Sequence, residues 1–190
     1  MRTLMAAVMA IVMMFGSAAT VAFAQDAATP EPAGTPEAGG GDVAKGGETS
    51  FAKGIDAEAT YFSERGDPIA TLKVVDIERG WQEYDEFTEP DPGVEYLAVT
   101  FEVTSVGDDN VVVEAFGFSL IDGIGRNNSS AYVQVADDSD VELFEDDAAV
   151  AAGESTELVL IYQVFEEVPL GYFMWQPDSG IIILVDLTEI

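Results

Sequence analysis

Neither cysteine nor histidine occurs in the 190 residues. The first absence excludes disulfides, thiolate nucleophiles and iron–sulfur clusters, and the two together exclude Cys/His zinc sites and any triad built on imidazole. Missing cysteine does not fix the compartment, since exported proteins are permitted disulfides without needing them. Cations are scarce as well: 7 Lys and Arg stand against 36 Asp and Glu, a formal charge of -29. Phosphate backbones and anionic lipid headgroups are bound through Lys and Arg, so neither nucleic acid nor a membrane surface is expected as a partner. No phosphate loop, dinucleotide fingerprint or GxSxG elbow appears either.

What is present begins with "MRTLMAAVMAIVMMFGSAATVAFAQ": Arg2, an apolar run from Leu4 to Phe15, and small residues ending in Ala22-Phe23-Ala24. This is the order of a secretory signal peptide, with cleavage expected after Ala24 and a secreted, extracellular product. The alternative is an uncleaved N-terminal membrane anchor, because residues 3–24 approach the roughly 20 needed to span a bilayer. Ser17 to Thr20 is weakly apolar and no basic stop-transfer group follows, which favours cleavage. With no Cys after the apolar run, a lipid anchor is not expected. Without residues 1–24 the chain has 6 cations against 36 acids, a charge of -30.

Residues 25–50 consist almost entirely of Ala, Gly, Pro, Thr, Glu and Asp, with no aromatic residue and no apolar period. Such a stretch cannot bury enough surface to offset its ordering entropy and reads as a disordered spacer. Residues 51–190 read as one domain, long enough to bury roughly two-thirds of its unfolded surface.

The domain's pattern is strand-like nearly throughout. In "VEYLAVTFEV", Leu97, Val99, Phe101 and Val103 share one face, while Glu95, Ala98, Thr100 and Glu102 serve the other with Tyr96. That alternation predicts a half-buried strand with a solvated face. Further strands are expected at Ile69–Arg79, Val111–Ile121 (one or two), Ser130–Val135 (weaker), Glu157–Phe165, Tyr172–Trp175 and Ile181–Leu187, separated by Gly, Pro, Asp and Asn. "LVLIYQVF" and "IIILV" are apolar on both faces and read as central strands. Seven to nine short strands at this spacing predict an all-β, immunoglobulin-like antiparallel β-sandwich. The Cys…Trp…Cys pin of antibody domains is absent.

The order "PGVEYLAVTFEVTSVGDD", "FGFSLIDGIGR", "AAGESTELVLIYQVFEEVP" resembles a family of secreted bacterial immunoglobulin-like domains of unknown function, often called telokin-like, which includes a mycobacterial immunoprotective extracellular protein. The positions carrying the likeness are Gly93, Phe118, Leu120, Asp122, Gly125, Gly153, Phe165 and Pro169. The resemblance covers about residues 70–187 and implies an extracellular sandwich. It carries over no catalytic residue.

Two acidic segments are candidate sites. "DDSDVELFEDD", residues 137–147, holds seven carboxylates and no cation. If every strand runs antiparallel to the last, this loop and the turn at Asp108 and Asp109 share one end of the sandwich. Asp108, Asp109, Asp137, Asp138, Asp140 and Glu142 then become candidate ligands for calcium, which takes 6–8 oxygens. Glu142 stands where a calcium loop of the EF-hand order needs Gly. Ser139-x-x-Glu142 also fits a capping box, opening one helical turn with Val141, Leu143 and Phe144 as its apolar contacts. The second segment, "QEYDEFTEPDPG", sets Tyr84 and Phe87 among five acids at the opposite end, either as a partner-binding loop or as two plugs. In "GYFMWQP", Phe173 and Trp175 share one face and Tyr172 and Met174 the other, as a ligand platform or as sheet packing.

Carboxylate pairs can run glycoside hydrolysis without histidine, but no cleft-forming insertion is present. The expectation is a non-catalytic exported module that meets a protein or a cell-envelope component. A calcium-binding version of it is the alternative, and a carboxylate hydrolase a distant third.

Overall fold

In a computed structural model of the chain, residues 50–178 and 181–190 are described, all within the unit Asp42–Ile190. The expected signal peptide and all of the expected spacer but Ser50 lie outside the described residues. Among the described residues no helix is long and apolar enough to cross a membrane.

The described residues form eleven strands: β1 (Phe51–Lys53), β2 (Glu58–Phe62), β3 (Pro68–Arg79), β4 (Val94–Ser105), β5 (Val111–Glu114), β6 (Phe118–Asp122), β7 (Asn127–Ser129), β8 (Asp147–Val150), β9 (Ser155–Phe165), β10 (Leu170–Asp178) and β11 (Ile181–Asp186). A 3-10 turn, Ala115–Gly117, joins β5 to β6. One sheet has the order β2-β3-β4-β9, a second β1-β11-β10-β6-β7, and β5 pairs with β8. All pairings are antiparallel except that of β1 with β11. The all-β sandwich expected from the turn spacing is thus the observed fold, with more strands than the seven to nine anticipated. The additional ones, β1, β2, β7 and β8, have three to five residues each, too few for a period to declare itself.

The period-two alternation of β4 explains its place. Leu97, Val99, Phe101 and Val103 are buried in the main core, opposite Phe118 and Leu120 of β6 and Phe173 and Trp175 of β10. Phe118 stacks on Trp175 with ring centroids 5.6 Å apart and planes 6° from parallel, and it meets Phe101 at 4.6 Å. Such pairs contribute about 0.5–1.5 kcal/mol each beyond the area they bury. Phe173 and Trp175 are therefore core packing.

The outer face of the four-stranded sheet departs from expectation. Tyr96 and Ala98 are buried there with Trp81, Val133 and Ile161 in a second, smaller core, and Val141 and Leu143 pack against it. The covering strap is the segment 130–144. It is not the weak strand expected at Ser130–Val135: it makes only the isolated bridges Ser130–Tyr162 and Tyr84–Val135. Nor does a helical turn open at Ser139. The Ser139 hydroxyl accepts the amide of Val141 at 3.1 Å, two residues on rather than three, and donates to the Glu83 carboxylate. The side chain serves a local turn and a neighbouring loop instead of a helix end.

The strap also corrects the placing of "LVLIYQVF". β9 is the last strand of its sheet, not a central one. It is apolar on both faces because Leu160, Tyr162 and Val164 enter the main core while Ile161 and Val159 lie in the smaller one. Its outer edge is closed where Ala131 N–H donates to Ile161 O (2.7 Å) and Phe144 N–H to Val159 O (2.8 Å). Covering an edge in this way blocks pairing with other chains. "IIILV" is central as expected, with β11 between β1 and β10.

The β6–β7 hairpin shows why the Asp122-x-x-Gly125 pattern matters. Asp122 is buried, and its Oδ1 accepts the amides of Ile124 (3.2 Å) and Arg126 (2.8 Å). Gly125 takes φ +84°, a conformation costly for a residue with a Cβ. The Arg126 guanidinium pairs with Asp122 Oδ2 at 3.4 Å and lies 4.0 Å over the Phe165 ring.

One core group is poorly served. The Tyr162 hydroxyl is fully buried with no hydrogen-bond partner, and burial pushes its pKa well above the ordinary 10.0. Desolvating an unpartnered hydroxyl costs on the order of 1 kcal/mol or more, so Tyr162→Phe is expected to raise unfolding stability by about 1 kcal/mol. The pH dependence has a definite sign. The raised folded pKa leaves stability intact below pH 10.0 and erodes it above, where the unfolded chain ionises first. Melting temperatures of both proteins between pH 8 and 11 check this: the gap between them should widen above pH 10.

Candidate protein-binding surface

The loop between β3 and β4 is built around one side chain. Asp85 Oδ1 accepts the amides of Phe87 and Thr88, both at 3.0 Å, and the Thr88 hydroxyl at 2.9 Å. An Asp that ties up the next two or three residues makes a closed turn with little freedom. The turn is fastened to the strap by Asp85 N–H donating to Gln134 O and Ala136 N–H to Glu83 O, each at 2.9 Å, and by Thr88 Oγ1 donating to Gln134 O at 3.3 Å. It is fastened to β4 by the Tyr96 hydroxyl donating to Thr88 O at 2.7 Å.

Tyr84 and Phe87 have separate fates in this frame. Tyr84 is half-buried against Tyr96 (5.2 Å between centroids) and Trp81 (6.2 Å), a plug over the smaller core. Phe87 is 80% exposed, and Tyr132 of the strap is 75% exposed. Tyr132 and Gln134 face outward while Val133 between them is buried; Phe87 belongs to the turn whose Asp85 amide and Thr88 hydroxyl meet Gln134 O, and Tyr132 lines a small cavity with Leu143, Phe144 and Glu145. Tyr132 was not among the residues singled out from the sequence. The signal was there in Ala131-Tyr132-Val133-Gln134-Val135, whose alternation puts Tyr132 opposite the valines.

The two acidic segments are placed differently from expectation. Val135 bridges Tyr84 and Ala136 bonds Glu83, so Asp137, Asp138 and Asp140 stand beside the 82–92 loop, not at the far end. The strap crosses the outside of the sheet instead of forming a strand, which reverses the end at which its acids emerge. Asp108 and Asp109 lie at the other end, after β4, on an open groove of about 890 Å³ with Glu64, Arg65 and Asp67. Glu142 is exposed along the strap. Five of the six calcium candidates are thus divided between two ends with Glu142 apart on the strap, and among the described residues no group of three or more carboxylates is placed to hold a metal ion.

Charge on this surface has one sign. Neither 80–92 nor 130–147 contains Lys or Arg. Four of the cations are engaged elsewhere: Lys53 with Glu189, Lys73 with Glu102, Arg79 with Glu95 and Arg126 with Asp122.

No family model matches the sequence, and no curated protein is similar to it. Solved structures are. The yjhA protein of Bacillus subtilis has a TM-score of 0.52 and 17% identity, covering 72% of this chain and 98% of that one. A "putative lipoprotein", ycdA, of Bacillus subtilis subsp. subtilis str. 168 has a TM-score of 0.50 and 19% identity over 70% of this chain. This chain spans only 39% of that structure. An uncharacterized β-sandwich protein of Clostridium difficile 630 has a TM-score of 0.43 and 11% identity over 74% of this chain and 96% of that one. At 17% and 19% identity the likeness to the first two concerns the fold alone. The telokin-like resemblance is matched by a sandwich fold and by no family model.

Proposed function

We propose that this chain is a non-catalytic interaction module working outside the cytoplasmic membrane, and that the surface bearing Phe87 and Tyr132 meets a protein that presents Lys or Arg. One observation carries the reading: Phe87 is almost fully exposed on a turn whose neighbouring amides and hydroxyl are all fixed. A rigid aromatic anchor loses little entropy on binding, which is how binding hot spots are built. The acids around it, Glu83, Asp85, Glu86, Asp137, Asp138 and Asp140, supply the complementary charge that steers a cationic partner and rejects anionic ones. The absence of His and Cys, the signal-like N-terminus and the telokin-like resemblance over about residues 70–187 agree with an exported, non-catalytic role.

The test is site-specific photo-crosslinking from position 87 or 132 in the producing cell. The expected result is a discrete adduct with a basic protein from both positions, weakened by added salt because the steering charges are screened. Phe87→Ala should abolish the adduct from position 132 while leaving unfolding stability within about 0.5 kcal/mol, since an exposed ring contributes little to the fold. No adduct from either position, or an adduct that survives Phe87→Ala unchanged, would refute the proposed surface.

A further inference from the structure

The strap is pinned to β9 at both of its ends. Ala131 N–H donates to Ile161 O on the outgoing limb, and Phe144 N–H to Val159 O on the returning one. Acceptors two residues apart on a strand stand about 7 Å from each other, which holds the limbs further apart there than the roughly 4.8 Å between paired strands. The side chains do not fill the gap. Phe144, the largest at hand, is turned into the main core, where its ring meets those of Phe101 and Phe118, each at 6.5 Å. Ala131 is too short to reach across. A recess of about 160 Å³ is left between the limbs, walled by Ala131, Leu143, Val159 and Ile161, with the exposed Tyr132 and Glu145 at its margin.

We infer that this recess receives one apolar side chain of about the size of Leu from a basic segment of the protein partner, with a neighbouring Lys or Arg of that segment beside Glu145. The inference deepens the proposed function and rests on it. An apolar cavity of about 150 Å³ holds a benzene-sized group, so the recess has room for a single side chain of that bulk. Ala131, Leu143 and Val159 are only half-buried, and an inserted side chain would take their remaining apolar surface out of water. An apolar anchor seated in a pocket is the arrangement in which a few residues carry most of the binding energy.

Charge decides what flanks that side chain. Among the described residues Glu145 is the one charged group lining the recess; Asp146 and Asp147 follow it, and 130–147 carries no Lys or Arg. A basic segment is attracted there and an acidic one repelled, whereas a free apolar molecule would gain nothing from these acids. A strand added to the β9 edge would find Val159 O and Ile161 O already accepting strap amides, so recognition rests on side chains. Tyr132 belongs both to the recess and to the proposed protein-binding surface, which makes the two continuous.

Nitrogen-15 NMR titration of the full chain tests this, with the end-blocked tripeptides Lys-Leu-Lys, Lys-Ala-Lys and Glu-Leu-Glu and with benzene as probes. The expected result is a saturable shift of the Ala131 and Phe144 amide signals with Lys-Leu-Lys and none with Glu-Leu-Glu. Lys-Ala-Lys should bind roughly tenfold more weakly, for the apolar carbons it lacks. Ala131→Leu, which fills the recess from within, should abolish the shift at Phe144. Glu145→Lys should weaken binding roughly fivefold, and because Glu145 is exposed this variant reads the site even where Ala131→Leu does not fold. No shift with any peptide, equal binding of Lys-Ala-Lys or Glu-Leu-Glu, or a shift with benzene alone would overturn the assignment. A crosslink from position 132 that persists unchanged in folded Ala131→Leu would also overturn it, while leaving the protein-binding surface standing. Binding of Lys-Leu-Lys in the recess without a crosslink from 87 or 132 would count against the larger surface and not the recess.

Discussion

Phe118→Ala is expected to lower unfolding stability by about 3–5 kcal/mol, a large part of what holds a domain of this size together. Phe118 is nearly fully buried where the two large sheets meet. Its ring stacks on Trp175 at 5.6 Å and on Phe173 at 5.5 Å, touches Phe101 at 4.6 Å and faces Phe144 at 6.5 Å. Alanine would leave a cavity between rings belonging to β4, β10 and the strap. These are large, flat and mutually braced, so the cavity can collapse only partly. Urea unfolding followed by tryptophan fluorescence checks it. A loss below 1 kcal/mol would mean that the rings close over the gap. Phe118→Leu, which keeps most of the volume, should cost far less.

Trp81→Ala should cost a similar 3–5 kcal/mol if the strap unfolds only with the rest of the domain, and less if the strap detaches first. Trp81 is buried against Tyr96 and Tyr84 at 6.3 and 6.2 Å, and its amide donates to Tyr96 O at 3.0 Å. It fills the smaller core on which both the 82–92 loop and the strap rest. Amide hydrogen exchange separates the two cases. Detachment predicts that protection falls at Asp85, Ala131 and Ala136 while the amides pairing β3 with β4 keep theirs. It also predicts loss of the crosslink at Phe87, although Trp81 is not on the exposed surface, because the ring would no longer be held in place.

Legibility in the sequence followed length and periodicity. β3, β4 and β9 have eleven or twelve residues each, and their expected positions agree with the structure to within a few residues. The β6–β7 hairpin was not legible from periodicity, since β7 has only three residues; Asp122 and Gly125 stood out only as positions of the telokin-like resemblance, and the structure shows that one holds two amides and the other takes positive φ. The strap was misread. Ser130–Val135 alternates as a strand does, yet it pairs with nothing continuously. Alternation reports which residues face inward and not whether a backbone ladder exists.

The candidate sites show the same division. Phe87 and its acidic surroundings were visible as residues, but that Tyr84 is a plug and Phe87 an exposed ring depends on the Asp85 turn and the Trp81–Tyr96 platform. Phe116 and Ser119 sit in an apolar run that reads simply as strand. The exposure of Phe116 and the buried, unpartnered hydroxyl of Ser119 depend on which neighbours β6 receives in the sheet.

By itself, then, the sequence determined the all-β class, the long strands and their inward faces, the one-signed charge and the chemistry ruled out by missing His and Cys. These are local or compositional properties, fixed by each residue's own chemistry and by spacing along the chain. Only the tertiary structure decided that the strap crosses the outer face of the four-stranded sheet, that the acids of 82–92 and 137–140 share one end, and that a recess opens beside Tyr132. Those depend on contacts between residues far apart in sequence, where the burial of Trp81, Tyr96, Val133 and Ile161 outweighs the strand pairing that the local pattern favours.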